Sequence, residues 1–190
     1  MITHIIFLLI AYLVGSIPTG YWLAYFLFGI DIQQHGSGNI GATNIGRTLG
    51  KKYFFVVMFL DALKAYLTLE AARLYISTEL LYLFCVAALL LLGNAHSLFL
   101  QFRGGKGVAT VLGILAFFVP FWVMLIFGLM WGPIFFITTF AFFASLFAML
   151  FVFFIYLIFF GFTAITFFLV ALFFWLVTRH CANIKAFLNR

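Results

Sequence analysis

The chain is written in long apolar blocks separated by three polar islands. Ile2 to Gly29 is predominantly apolar and long enough to cross a hydrocarbon layer about 30 Å thick. Gly15-Ser16-Ile17-Pro18-Thr19-Gly20 falls in the middle of that block. Pro18 removes a backbone donor there and predicts a bend. The first island, His35 to Lys52, follows. Tyr53 to about Arg73 then predicts a second span, Leu74 to Glu79 a turn, and Leu80 to about Leu92 a third span. Cys85 within it reads as a small buried hydrophobe. The second island runs from Gly93 to Thr110, and no charged side chain occurs from Val108 to Thr178. Only Pro120, Trp131-Gly132-Pro133 and Gly161 punctuate that stretch strongly, and Arg179 to Lys185 forms the third island.

Composition fixes the solvent. A chain of 190 residues is expected to be one domain, 1–190. Its hydrophobic content of 67%, with only 10 basic and 4 acidic residues, excludes an ordinary soluble globule. Water demands a charged surface, whereas a bilayer demands few charges. The formal charge of +6 does not indicate nucleic acid, because the cations flank apolar spans and form no soluble basic face. Cys85 and Cys181 lack His or Cys neighbours at ligand spacing, so neither a disulfide framework nor a metal site is expected.

Charge also sets the expected topology. Lys and Arg concentrate at 47–52, 103–106 and 179–190, and such excess marks cytoplasmic loops. One span precedes the first island and two separate the first from the second. The featureless stretch accommodates four short spans, or two with re-entrant segments. Four gives an all-α polytopic protein of about seven transmembrane helices, N-terminus outside and C-terminus cytoplasmic.

The islands carry the candidate chemistry. The first reads HGSGNIGATNIGRTLGKK, with Gly36, Gly38 and Gly41 interleaved with Ser37, Asn39, Thr43, Asn44 and Arg47. Glycine permits positive φ and close approach, so successive N–H groups can converge on an anion. Hydroxyls and amides add neutral hydrogen bonds, and Arg47 can grip a phosphate with two prongs. In the second island Gly104-Gly105-Lys106-Gly107 precedes an apolar run, which places a cation at a helix N-terminus. Gly107 follows the GK pair where a Walker A loop needs Ser or Thr, so nucleotide binding is not indicated. Asp61 and Lys64 lie three apart on one helical face. They read either as a structural ion pair or as Lys64 reaching the anion site with Asp61 holding it. In the third island His180 and Asn183 share a face within one turn. An imidazole titrates near neutral pH and suits a general base. Two other readings stay open: both residues anchor the helix end, or a substrate phosphate oxygen is the base.

GSGNIGATNIGRTLG (36–50), FRGGKGVAT (102–110) and RHCANIK (179–185) resemble the three cytoplasmic segments of the bacterial acyl-phosphate:glycerol-3-phosphate acyltransferase family. GSIPTG (15–20), Asp31-Ile32 and DALK (61–64) match it in order and spacing. The resemblance implies a multi-pass enzyme of the bacterial inner membrane whose active site faces the cytoplasm. Such an enzyme transfers a fatty acyl group from acyl phosphate to the 1-hydroxyl of glycerol-3-phosphate, giving lysophosphatidic acid and phosphate. It implies no cofactor and no metal, membrane lipid as surroundings, and room for handover from an enzyme that makes acyl phosphate. The implied catalytic residues are Ser37, Arg47, Lys106, His180 and Asn183. The implied substrate and phosphate ligands are Gly36, Gly38, Asn39, Thr43, Asn44, Lys64, Gly104, Gly105, Gly107, Thr110 and Ser145.

The chemistry of the residues agrees with such a reaction. An acyl phosphate is already activated, so positioning and charge stabilisation suffice and no covalent intermediate is needed. Neither a nucleophile elbow nor a His-x4-Asp pair is present: Leu9, Ile40, Gln101 and Lys185 follow the four histidines at that spacing. The sequence departs from the family pattern at Asn94 and Ser97, at Ala65, and around Ser145-Leu146, where Phe142 and Phe143 precede. Two rival readings are an organophosphate transporter and a relative that binds phosphate or lipid without turnover. A transporter typically shows internal repeats and a midplane site, and no repeat is found here.

Overall fold

The structure is a computed structural model that describes residues 1–189. Among these it contains nine α-helices, two 3₁₀ turns and no strand. The chain forms two compact units, Met1–Phe117 and a second from Phe118 onward.

The first unit holds α1 (Ile2–Ser16), α2 (Thr19–Phe28), α3 (Ala42–Leu49), α4 (Lys51–Tyr75), α5 (Leu80–Ala95) and most of α6 (Val108–Phe118). Helices α1 and α5 cross closely because glycine stands at the crossing on both. A Cβ on Gly93 would lie 2.7 Å from Ser16 N, and one on Gly15 would lie 2.9 Å from Leu90 Cα. In lipid, helix association relies on such close approach and on hydrogen bonds. Three of the latter bind α1 to α5 and the turn after it: Tyr82 Oη to His4 O at 3.1 Å, Tyr12 Oη to His96 O at 2.8 Å, and Ser97 Oγ to Ser16 O at 2.5 Å. Helix α6 approaches α4 through a third small residue, Gly113, whose Cβ would lie 3.0 Å from Ala62 Cα.

The bend predicted at Pro18 is present: α1 and α2 meet at 44° across Ile17 and Pro18. A broken helix in an apolar setting exposes carbonyls that lipid cannot satisfy. At this break Ile17 O accepts from Thr19 N at 3.1 Å and from Lys64 Nζ at 2.7 Å. The Lys64 charge is balanced by Asp61 at 2.6 Å, and Thr19 Oγ1 donates to the same carboxylate at 2.8 Å. Asp61 and Lys64 are paired, as both readings of them require, and Lys64 is tied to the helix break.

Two expectations change. The first island is only partly a loop, because residues 42–49 form α3. Ile45 drives this: it is fully buried in a cluster with Ala24, Ile32, Ile40 and Val57, which anchors α3 against α2 and α4. Cys85 is exposed and not buried, since it lies on the side of α5 opposite Leu83, Val86, Ala87 and Leu90.

The second unit holds α7 (Phe121–Thr138), α8 (Ala141–Phe160) and α9 (Ala164–Leu188). Thr163 caps α9: its Oγ1 accepts from Thr166 N at 3.2 Å, and Thr166 Oγ1 accepts from Thr163 N at 3.2 Å. At the other end of α9, Phe187 packs edge-on against Phe140 and Phe143, with centroids 5.3 and 4.9 Å apart.

Among the described residues, four segments are long and apolar enough to cross a membrane: Leu80–Leu100, Phe121–Thr138, Ala141–Phe160 and Ala164–Leu188. The bent α1–α2 pair adds a fifth. Seven crossings would require α4 and α6 as well. Helix α4 has 25 residues but carries Asp61, Lys64, Glu70 and Arg73, and α6 has only 11.

Candidate active site

Just before the first island a 3₁₀ turn, Ile32–Gln34, feeds the glycine segment and is held by Asp31. The Asp31 carboxylate accepts from Gln33 N and from Gln34 Nε2, both at 3.0 Å. Gly36 and Gly38 then take φ of 59° and 69°, the left-handed region that glycine enters without strain. Asn44, buried on α3, braces the segment from below. Its Oδ1 accepts from Ser37 N, and its Nδ2 donates to His35 O and Asn39 O, all at 2.9 Å. Asn39 Oδ1 accepts from Gly41 N at 2.8 Å, ahead of α3. Asn39 and Asn44, expected as ligands, therefore serve the loop backbone.

That finding changes the expected anion cradle. The amides of Ser37 and Gly41 go to the two asparagines, and Gly38 N donates to His35 O at 3.0 Å. Converging backbone N–H groups at these positions are spent inside the loop. The segment instead mounts side chains on a fixed backbone: Ser37 and Arg47 are exposed, and Thr43 is half-buried.

The second island follows the same plan. Gly105 N donates to Asn94 O at 2.8 Å, and Gly104 leaves no room for a side chain, since a Cβ would lie 2.6 Å from Ala95 C. The loop is thereby laid along the end of α5. Lys106 is half-buried between buried Gly105 and Gly107. As expected, α6 begins just beyond, and Gly107 O accepts from Val111 N at 2.8 Å. Thr110 in its first turn is fully buried, and its hydroxyl has no hydrogen-bond partner among the described residues. A buried orphan hydroxyl is costly unless another group reaches it.

Both islands rest on α2. Leu100 of the second packs on the cluster of Ala24, Ile32, Ile40 and Ile45, and the Trp22 and Phe99 rings lie 5.6 Å apart. No acidic residue lies between Asp31 and Asp61, or after Glu79. Arg47 and Lys106 therefore stand in stretches free of competing carboxylates.

The remaining predicted residues belong to the second unit. His180 is buried and Asn183 half-buried, three residues apart on one face of α9. The His180 ring lies 6.4 Å from that of Phe142 on α8. Ser145, one turn further along α8, is buried; its Oγ donates to Ala141 O at 2.8 Å and accepts from Trp131 Nε1 at 3.1 Å. Ser145 is thus engaged in joining α7 to α8. Sequence reasoning missed the support roles of Asn94 and Trp131. Asn94 had one signal, its place immediately after the crossing glycine Gly93.

The glycerol-3-phosphate acyltransferase family model matches residues 5–190. A glycerol-3-phosphate acyltransferase 2 of Moorella thermoacetica is 43% identical over 122 residues, 63% of this chain and 62% of that protein. A glycerol-3-phosphate acyltransferase of Desulforamulus reducens is 43% identical over 130 residues, 68% of this chain and 64% of that protein. These alignments span less than two thirds of either relative's own length. The crystal structure of PlsY (YgiH), an integral membrane glycerol 3-phosphate acyltransferase, superposes in its glycerol 3-phosphate form with a TM-score of 0.87 and 33% identity. It covers 98% of this chain and 92% of that one. Its lysophosphatidic acid form superposes with a TM-score of 0.85. With matching motifs, a matching model over nearly its whole length and a matching fold, this chain belongs to the glycerol-3-phosphate acyltransferase family.

Proposed function

We propose that the chain transfers a fatty acyl group from acyl phosphate to the 1-hydroxyl of glycerol-3-phosphate, releasing lysophosphatidic acid and phosphate. The observation that carries this reading is the pair of braced loops on α2, the first running into α3 with Arg47 and the second bearing Lys106, both in stretches of sequence without acidic residues. Two phosphate-bearing substrates and one released phosphate call for two such mounts. The solved relative was captured in glycerol 3-phosphate and lysophosphatidic acid forms, the acceptor and the acylated product of that reaction.

The glycerol hydroxyl attacks the acyl carbonyl carbon, the bond to the phosphate oxygen breaks, and phosphate leaves as the anion. Arg47 and Lys106 offset its charge, with Ser37, Thr43 and Thr110 supplying hydroxyl donors. Gly36, Gly38, Asn39, Asn44, Gly104, Gly105 and Gly107 act by shaping the loops. His180 takes the hydroxyl proton and Asn183 orients the acceptor. Residues 1–190 are then a single integral membrane acyltransferase domain, in which Ser145 joins α7 to α8. The reading is completed by seven crossings of the bacterial inner membrane, with the islands on the cytoplasmic side.

Purified protein in detergent or lipid, given acyl phosphate and glycerol-3-phosphate, should release phosphate and form lysophosphatidic acid in equal amounts. Binding of phosphate without release would favour a non-catalytic relative. Movement of phosphate across sealed vesicles without lysophosphatidic acid would favour a transporter.

A further inference from the structure

A buried charged group in an apolar helix is retained only where something needs it, and Lys64 and Asp61 have a structural customer. Their side chains are 12% and 9% exposed, and their polar neighbours are Ile17 O and Thr19 Oγ1, the two residues that flank Pro18. The ion pair thus fills the notch where α1 ends and α2 begins. One residue beyond the notch, Gly20 lies so close to Ile40 O and Ile45 that a Cβ would meet the former and sit 3.1 Å from Ile45 Cγ1. Ile40 and Ile45 bracket Asn44, whose side chain braces Ser37, His35 and Asn39. A continuous set of contacts runs from the ion pair through the start of α2 to the segment that presents Ser37 and Arg47.

We infer that Asp61 and Lys64 are a positioning pair: together with Thr19 they latch the 44° bend between α1 and α2, and the bend seats the first glycine segment at its working place. The pair acts through α2 and touches no substrate. This is a different role from a phosphate ligand, in which Lys64 would matter far more than Asp61. In the latch each partner is useless without the other, because an unpaired charge in the notch is worse than none.

The test uses the full chain in detergent or nanodiscs, with Asp61→Asn, Lys64→Met, the double variant, Thr19→Val and Lys64→Arg. Its first readout is amide hydrogen exchange over residues 35–45, where Ser37 N and Gly41 N are held by asparagine side chains. Asp61→Asn and Lys64→Met should each raise exchange there roughly tenfold, and the double variant no further than the worse single. Thr19→Val, which leaves the ion pair intact, should give a smaller rise, and Lys64→Arg should restore part of the protection. Unchanged exchange over 35–45 in the folded variants overturns the proposal, and so does unchanged exchange in Thr19→Val if the charge variants do not fold. The second readout rests on the acyltransferase reading. Both single variants should raise KM for glycerol-3-phosphate by similar factors. A rise for Lys64→Met with none for Asp61→Asn makes Lys64 a direct ligand and overturns the latch. Wild-type protein without turnover defeats the acyltransferase reading and leaves the exchange result to decide the latch.

Discussion

Asn44 Oδ1 accepts the Ser37 amide at 2.9 Å across seven residues of chain, while its Nδ2 spans two carbonyls of the same segment. One buried side chain therefore sets the shape of the first island. Asn44→Ala removes three hydrogen bonds, leaving Ser37 N and Asn39 O without this partner while His35 O keeps Gly38 N, and should cost about 0.5–1.5 kcal/mol for each bond lost. Asn44→Asp keeps the acceptor but turns the donor into a second oxygen facing His35 O and Asn39 O. It should be no better than alanine. Thermal unfolding together with kcat/KM measures both, and an active, fully stable Asn44→Asp protein would show that the brace is dispensable.

Arg47 stands on α3 behind the first braced loop and Lys106 on the second, and the proposed reaction has both offset the charge of the departing phosphate. Arg47→Ala and Lys106→Ala should each lower kcat by about 10²-fold or more, with the melting temperature within a few degrees of wild type. Arg47→Lys should recover little, because a point charge does not reproduce a two-pronged grip. Near-normal turnover in both alanine variants would refute the anion site.

For His180 the decisive measurement is the pH–rate profile. If the imidazole is the base, activity falls as pH drops and the ring protonates, giving an acidic limb. His180→Asn should then lose that limb together with about 10²–10⁴-fold in rate. A variant that keeps the limb and most of the rate assigns the base to a phosphate oxygen of the substrate.

Sidedness is open to chemical labelling. In a background lacking Cys85 and Cys181, Gly50→Cys, Gln101→Cys and Asn189→Cys should all resist a membrane-impermeant thiol reagent in intact cells. Ser77→Cys, in the turn between α4 and α5, should react. Labelling of Asn189→Cys alone would mean an odd number of crossings after Thr110 and would exclude seven.

The bend at Pro18, the start of α6 after Gly107 and the helical nature of the whole were legible in the sequence, because missing donors and long apolar blocks leave few choices. Helix α3 was not, because what forms it is the burial of Ile45 against residues from α2 and α4, which glycine-rich local sequence conceals. The same holds for the asparagines. Amide side chains beside glycine suggest ligands, and only the fold reveals that Asn39 and Asn44 spend their hydrogen bonds on their own loop. Cys85 was misplaced because in a uniformly apolar helix nothing in the pattern marks the inward face.

The crossing of α1 and α5 at Gly15 and Gly93 acts as a datum in the machinist's sense. Two residues after Gly15 the chain turns at Ile17 toward α2 and the first island, and one residue after Gly93 stands Asn94, whose carbonyl carries Gly105. The second loop is thus dimensioned from that fixed point directly through Asn94, and the first through the length of α2. A methyl group added to either glycine would press on the backbone of the other helix and shift the zero of both scales.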